Sequence, residues 1–279
     1  MQQVKILLTG ANGFVGLHLF QALTQEGYSV IPLVQRSCDL ANEIIIDFND
    51  HDDFIGRLNK ISSVDVVLHF AAKVDFTVTK EELFVPNVLA TAELVKWAKE
   101  KRSYFIFASS IAVLGAKTKF INASTPENPD TPYGYSKWLA EKIIQISGVP
   151  YLILRFSGIY GENGPSHLGI NRAINDAING CAPTLVGDGK AKRNYVYVGD
   201  IARVVEAVIK KRTTGIHLLG GPEPISIKEM LESICAVFLS DHDLSRVEPD
   251  KMVPDQIVES SPKLPKGRNF IETIRGMKQ

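Results

Sequence analysis

Short runs made mostly of hydrophobic residues recur along the first 155 positions, at 5–8, 30–34, 43–46, 65–70, 104–107 and 151–154. A run without polar alternation marks a strand covered on both faces, as in a parallel sheet. Between the runs, residues 14–26, 82–100 and 133–146 carry apolar side chains three and four apart, the period of helices that lay one face on such a sheet. Strand and helix alternate, which predicts an α/β fold: a doubly wound parallel sheet of the Rossmann type.

After Arg155 the pattern changes. Residues 161–165 are rich in turn formers, a helix is expected over 168–179, and it leads to Pro183 and the glycines of VGDGK. Residues 195–198, a helix from Asp200 and residues 216–219 again read as sheet or crossover. We therefore expect residues 1–155 to form a Rossmann domain to which 195–220 return, and residues 156–194 and 221–279 to form a smaller C-terminal lobe. From residue 249 the chain is rich in Pro, Ser and Lys with weak periodicity, and loose order is expected there.

Composition narrows the partners. Lys plus Arg and Asp plus Glu number 31 each, so no broad attraction to nucleic acid or anionic membrane is expected. Cys38, Cys181 and Cys235 are unevenly spread and lack metal-ligand spacing, so no metal site is expected and free thiols in a reducing compartment are. The apolar run at 4–8 is too short for a signal-peptide core, and no stretch approaches the roughly 18 to 20 apolar residues of a membrane span. A cytoplasmic protein with small partners is the expectation.

The first candidate chemistry is LLTGANGFVG at residues 7–16, where three glycines join a predicted strand to a predicted helix. Gly10 would permit the tight turn, Gly13 close approach of backbone to a pyrophosphate, and Gly16 close packing of helix on strand. The helix N-terminus adds free N–H groups and partial positive charge. A dinucleotide fold commonly places an acid at the end of the next strand, to hold the ribose hydroxyls. Here that strand ends VQRS. Arg36 stands in that place, suiting either a 2′-phosphate, which favours NADP over NAD, or plain solvation. Asp47 closes the IIID strand, as an adenine contact or as a turn acid. HFAA at 69–72 offers small Ala71 and Ala72 to a cofactor ribose.

The second is YGYSK at 133–137. Tyr133 and Lys137 lie four apart at the start of a helix and so share a face; of the eight tyrosines only Tyr133 has a lysine at that spacing. A neighbouring ammonium favours phenolate and would lower the tyrosine pKa toward that of a working acid or base. YFIFASSIAVLG at 104–115 is a buried strand that breaks into serines at a sheet's carboxyl edge, where Ser110 could orient a substrate oxygen or cap a turn.

Together, TGANGFVG, HFAA, ASSIAVLG, YGYSK, LRFSGIYGE and RNYVYVGDIA resemble, in order and spacing over about residues 4–230, the extended short-chain dehydrogenases of the NAD-dependent epimerase/dehydratase family. The resemblance implies Ser110, Tyr133 and Lys137 as the catalytic set, with Asn87 of PNVLAT helping to hold the site. It extends cofactor contacts to Asn12, Phe14, Val15, Phe48, Phe70 and Lys73. Ala108, Ser109, Phe156 and Ile159 complete that set, and Asn87, Tyr133 and Lys137 are shared with it. It also implies a nucleotide-sugar site in the C-terminal lobe, with Arg193 on the diphosphate, Leu185 to Gly187 near the base, Ser110 on the substrate oxygen, and Gly158 at the position of a diphosphate contact. The helices at 82–100 and 133–146 resemble those of a four-helix homodimer contact. Three departures stand out. Ile111 and Ala112 follow Ser110 where dehydratases carry an acidic pair, which argues against dehydration. Gly158 stands where many sugar epimerases carry Asn, and Leu114 where Tyr is common. The reading placed first is an NADPH-dependent reductase of a 4-keto-6-deoxysugar nucleotide. The alternatives are a 4-epimerase that retains NAD and a non-catalytic dinucleotide sensor.

Overall fold

The apolar runs form a seven-stranded sheet. In the computed structural model, which describes residues 3–74, 78–239, 244–248 and 254–278, its strands are β1 (Lys5–Thr9), β2 (Ser29–Val34), β3 (Ile44–Ile45), β4 (Val66–His69), β5 (Tyr104–Ser110), β6 (Tyr151–Phe156) and β7 (Gly215–Leu219). The spatial order is β7-β6-β5-β4-β1-β2-β3, and β3, β2, β1, β4 and β5 pair in parallel, with Ile6 opposite both Val30 and Val66. Ile6, Leu7, Leu8, Val66, Val67 and Leu68 are fully enclosed, as parallel strands with helices on both faces must be.

The helices are α1 (Phe14–Gln25), α2 (His51–Lys60), α3 (Lys80–Phe84), α4 (Ala90–Glu100), α5 (Pro132–Ser147), α6 (Gly169–Ile178), α7 (Val198–Lys211), α8 (Ile227–Phe238) and α9 (Phe270–Gly276). α1 buries Gly16, Leu19 and Leu23, three and four positions apart. α2 has weak mean hydropathy but complete end signals: the Asp50 side chain caps it, Asp52 and Asp53 open it, and Arg57 and Lys60 close it. The expected helix over 82–100 is broken into α3, a π-helical turn at Val85–Leu89 and α4. Pro86 lacks the N–H that a regular ladder needs there, and the widened turn carries Asn87. Among the described residues of the Pro-rich end, Ile257–Val258 forms a strand and α9 a helix. Loose order is therefore corrected there; Pro249 itself lies outside the described residues.

Two compact units result. One comprises residues 1–116, 125–155 and 202–217; the other comprises 117–124, 156–201 and 218–279. The sequence reading returns 195–220 to the sheet as a block, whereas residues 195–201 group with the second unit, where Tyr195–Tyr197 pairs with Gly158–Tyr160. The first unit's core runs from Leu7, Leu33 and Phe54 to Trp97, Phe105 and Ile153. The second packs α6 and α8 around Ile174, Leu185, Met230, Ile234 and Phe270. No described helix is long and apolar enough to cross a membrane.

Candidate active site

Gly10 turns the chain at the end of β1 with φ +72°, and a Cβ there would stand 2.8 Å from the Ala71 backbone. A Cβ on Gly16 would meet the Gly10 oxygen at 1.9 Å. Only glycine fits either position. Gly13, at the N-cap of α1, has no side-chain capping bond, which leaves the first turn's N–H groups to an anion. The turn opens on a cleft of about 390 Å³ in the first unit, whose lining includes Asn12, Leu33, Phe48, Phe70, Ala72 and Lys73. Bare backbone at the turn and an aromatic wall fit a dinucleotide. Phe14 and Val15 are half-buried in α1, and Phe48 stands edge-on to Phe54. Asp47 is exposed and accepts from Asn49 N and Nδ2 at 2.9 and 3.0 Å, the geometry of a turn acid. Arg36 is exposed, and its carbonyl accepts from Asn12 Nδ2 at 3.2 Å.

A buried polar chain leads from this cleft to α5. Thr91 Oγ1 donates to Asn87 O at 2.7 Å, so it must accept from His69 Nε2–H at 2.9 Å. His69 Nδ1 is then an acceptor, and Thr9 Oγ1 donates to it at 2.7 Å while accepting from Ala71 N at 3.1 Å. Burial, with Lys137 nearby, pushes His69 down to about 3, which keeps it neutral. On the far side Asn87 Oδ1 accepts from Lys73 N at 2.8 Å, and Nδ2 donates to Lys73 O and Ser136 Oγ, each at 3.0 Å. Ser136 passes the chain on to Tyr133 O at 2.8 Å.

Tyr133 and Lys137 occupy the buried face of α5, 9 % and 2 % exposed. Thr131 caps this helix on Gly134 N, and Pro132 starts it. A Cβ on Gly134 would stand 2.4 Å from Ala112 O, so glycine is what lets the start of α5 come against the 3₁₀ turn at Ile111–Leu114. Ser110 caps that turn through Ala112 N at 3.1 Å, which leaves its hydroxyl hydrogen to a ligand. Lys137 Nζ donates to Ala108 O at 2.8 Å and lies 4.5 Å from the centre of the Phe107 ring. The expected lowering of the Tyr133 pKa by Lys137 is corrected here. Burial pushes the phenol well above its usual range and pulls Lys137 down to about 7, against the opposing pull of Glu141.

Glu141, fully buried one turn beyond Lys137, is a residue the sequence reading passed over. Arg155 holds it with Nε at 3.0 Å and a terminal nitrogen at 2.6 Å, and also reaches Glu127 at 2.6 Å. Lys142 and Trp138 Nε1 close on Glu127 at 2.6 and 2.7 Å. Ser109, expected at the cofactor, instead turns its hydroxyl to Glu141. The signal was available: K-x-x-x-E on the Tyr133 face, and a lone arginine inside the apolar run YLILRF.

The remaining expected residues lie in the second unit. Phe156 is buried, and Ile159 O accepts from the buried Asn171 Nδ2 at 3.1 Å. The space beside Gly158 is taken by the Tyr195 ring, whose Cδ1 would be 3.1 Å from an added Cβ. Leu185 is 1 % exposed and belongs to the core, so its side chain is not a surface contact. Gly187, at φ +73°, donates to Val247 O at 2.9 Å. Arg193 is half-buried and donates to Lys192 O and Pro254 O at 2.9 and 2.6 Å.

The chain is similar to known proteins. The model of the NAD dependent epimerase/dehydratase family matches residues 6–220. A Methanocaldococcus jannaschii protein provisionally named a UDP-glucose 4-epimerase is 28% identical over 248 residues, 82% of this chain and 81% of that one. The crystal structure of a UDP-N-acetylglucosamine 4-epimerase from Bacillus cereus superposes with a TM-score of 0.86 at 25% identity, over 99% of this chain and 95% of its own. The fold is also that of a Bacillus cereus UDP-glucuronic acid 4-epimerase solved with NAD, with a TM-score of 0.83 and 23% identity over 98% and 96% of the two chains.

Proposed function

The chain belongs to the NAD-dependent epimerase/dehydratase family, and from that premise we propose that it is a nucleotide-sugar 4-epimerase that keeps NAD bound through the catalytic cycle. The observation that carries the reading is the gathering of Tyr133, Lys137 and Ser110 around the start of α5, tied by hydrogen bonds to the strand end beside the glycine-turn cleft. The similar proteins named as 4-epimerases, one of them holding NAD, support this alternative over the reductase that the sequence reading placed first.

NAD, held at the cleft lined by Gly10, Gly13, Phe48 and Phe70, would supply the hydride acceptor. Tyr133 would take the proton of the sugar 4-hydroxyl in the oxidation and return it to the 4-oxygen in the reduction that completes the epimerisation. Ser110 donates to the 4-oxygen, and Lys137, fixed on Ala108 O, would hold a ribose hydroxyl of the dinucleotide. Asn87 fixes the Lys73 strand-end loop against α5. Arg193 takes the substrate diphosphate, leaving its backbone partners for a charge-assisted bond.

The test is to incubate the protein with UDP-glucose, UDP-N-acetylglucosamine and UDP-glucuronic acid without added NADPH. The 4-epimer of at least one should accumulate with no net change at 340 nm. In a second arm with NADPH and a 4-keto nucleotide sugar, stoichiometric loss of NADPH, with no epimer formed in the first arm, returns the reductase; neither reaction returns the sensor.

A further inference from the structure

The Lys137 side chain carries its amine into the interior with few partners. Its Nζ donates to Ala108 O at 2.8 Å and faces the Phe107 ring at 4.5 Å, and burial draws it down to about 7. His69, on β4, is neutral, and so is the Tyr133 phenol one turn earlier on α5. Among the described residues no charged side chain of α3 or α4, which also pack on α5, acts on Lys137. The one opposing charge is Glu141, a turn further along the same helix. Glu141 is firmly held: one oxygen accepts from Ser109 Oγ–H and from Arg155 Nε at 3.0 Å, the other from an Arg155 terminal nitrogen at 2.6 Å. Arg155 also reaches Glu127, on which Lys142 closes. Ser109 directly follows Ala108 in β5, so the hydroxyl that grips the carboxylate and the carbonyl that holds Lys137 Nζ are neighbours on one strand.

We propose that Glu141 is a positioning residue of the active site: anchored by Ser109 and Arg155, it fixes the strand end that carries Ala108 O and holds the buried Lys137 as an ammonium. A buried ion pair is commonly no more stable than an apolar pair of the same volume, so stability alone does not account for one placed here. The charge state decides what Lys137 can do. An ammonium has three N–H donors; one goes to Ala108 O, and two are left for a ligand. The inference deepens the epimerase reading and rests on it only for the identity of that ligand.

The experiment follows the Lys137 amine against pH by NMR in the whole chain, labelled with lysine carrying carbon-13 at Cε; the Lys137 signal is the one missing from Lys137→Arg. Wild type is compared with Glu141→Gln and with the double variant Glu141→Leu, Arg155→Met, each confirmed folded by its melting curve. In Glu141→Gln the midpoint should fall by about one pH unit or more, because the opposite charge that favours the ammonium is gone. The double variant replaces the ion pair by an apolar one, so its melting temperature should return toward wild type while its Lys137 midpoint stays below wild type. A pair that served packing alone would leave the midpoint where it is. The proposal is overturned if either folded variant keeps the wild-type midpoint. No substrate or dinucleotide is added, so either result leaves the epimerase reading to its own test.

Discussion

The two units treat their polar residues differently. In the first, an unbroken series of bonds runs from Ala71 through Thr9, His69, Thr91, Asn87 and Ser136 to the Tyr133 carbonyl, joining the ends of β1 and β4 to the π-helical turn, α4 and α5. In the second, the candidate substrate residues sit on strands of two or three residues, and Arg193 rests on main-chain carbonyls. A proton donor must be held to a fraction of an ångström, whereas a diphosphate contact remote from the reacting carbon tolerates movement. The proposed chemistry thus lies within a bonded network, and the proposed recognition residues on short elements.

Tyr133→Phe gives the largest break in this comparison. It removes one hydroxyl and keeps the ring, so folding and NAD binding should persist while kcat falls about 10²- to 10⁴-fold. Tyr135→Phe is the control: its ring stacks on Trp138 away from that face, and its kcat should stay near wild type. Equal losses in the two would remove Tyr133 from the role.

Arg155→Met strikes the support beneath the chemistry. It leaves Glu141 buried without its cation, which should cost about 3–5 kcal/mol in urea unfolding. The double variant Arg155→Met with Glu141→Leu should recover much of that loss. Failure to recover would mean that the pair is not coupled.

Arg193→Ala probes the second unit. It should raise KM for the nucleotide sugar about tenfold or more and leave kcat nearly unchanged, because a remote diphosphate contact is mostly uniform binding. A fall in kcat with normal KM would place Arg193 with the chemistry instead.

The smallest effect is one of pH. His69 is held at about 3, below its unfolded value of about 6.5. Both states are neutral above that value; below it only the unfolded chain takes the proton, so stability falls with pH. Between about pH 6.5 and 5 the urea midpoint of wild type should fall more steeply than that of His69→Gln. Parallel curves would show that His69 titrates freely.

These partners explain how far the sequence could be read. Runs such as KILLT and VVLH, buried on both faces, name their strands from composition alone, and the sheet was legible from them. The order of motifs was enough to identify the family. Residues 82–100 keep a helical period through Pro86, so periodicity could not show the π-helical turn that presents Asn87. The Ile225–Ser226 and Lys192–Arg193 strands are too short for alternation to register. Glu43 reads as part of an apolar strand; its capture by Ser37, Cys38 and Leu40 depends on a loop shape that no local pattern encodes.

The central claim is that hydride leaves C4 of the sugar and returns to C4 without leaving the protein. A nucleotide sugar carrying deuterium at C4 tests it directly, with the product read by mass and by NMR. The account predicts a 4-epimer that keeps its deuterium at C4 in the presence of excess unlabelled NADH in solution. Deuterium lost from the product, or found in dinucleotide released to solvent, would contradict it.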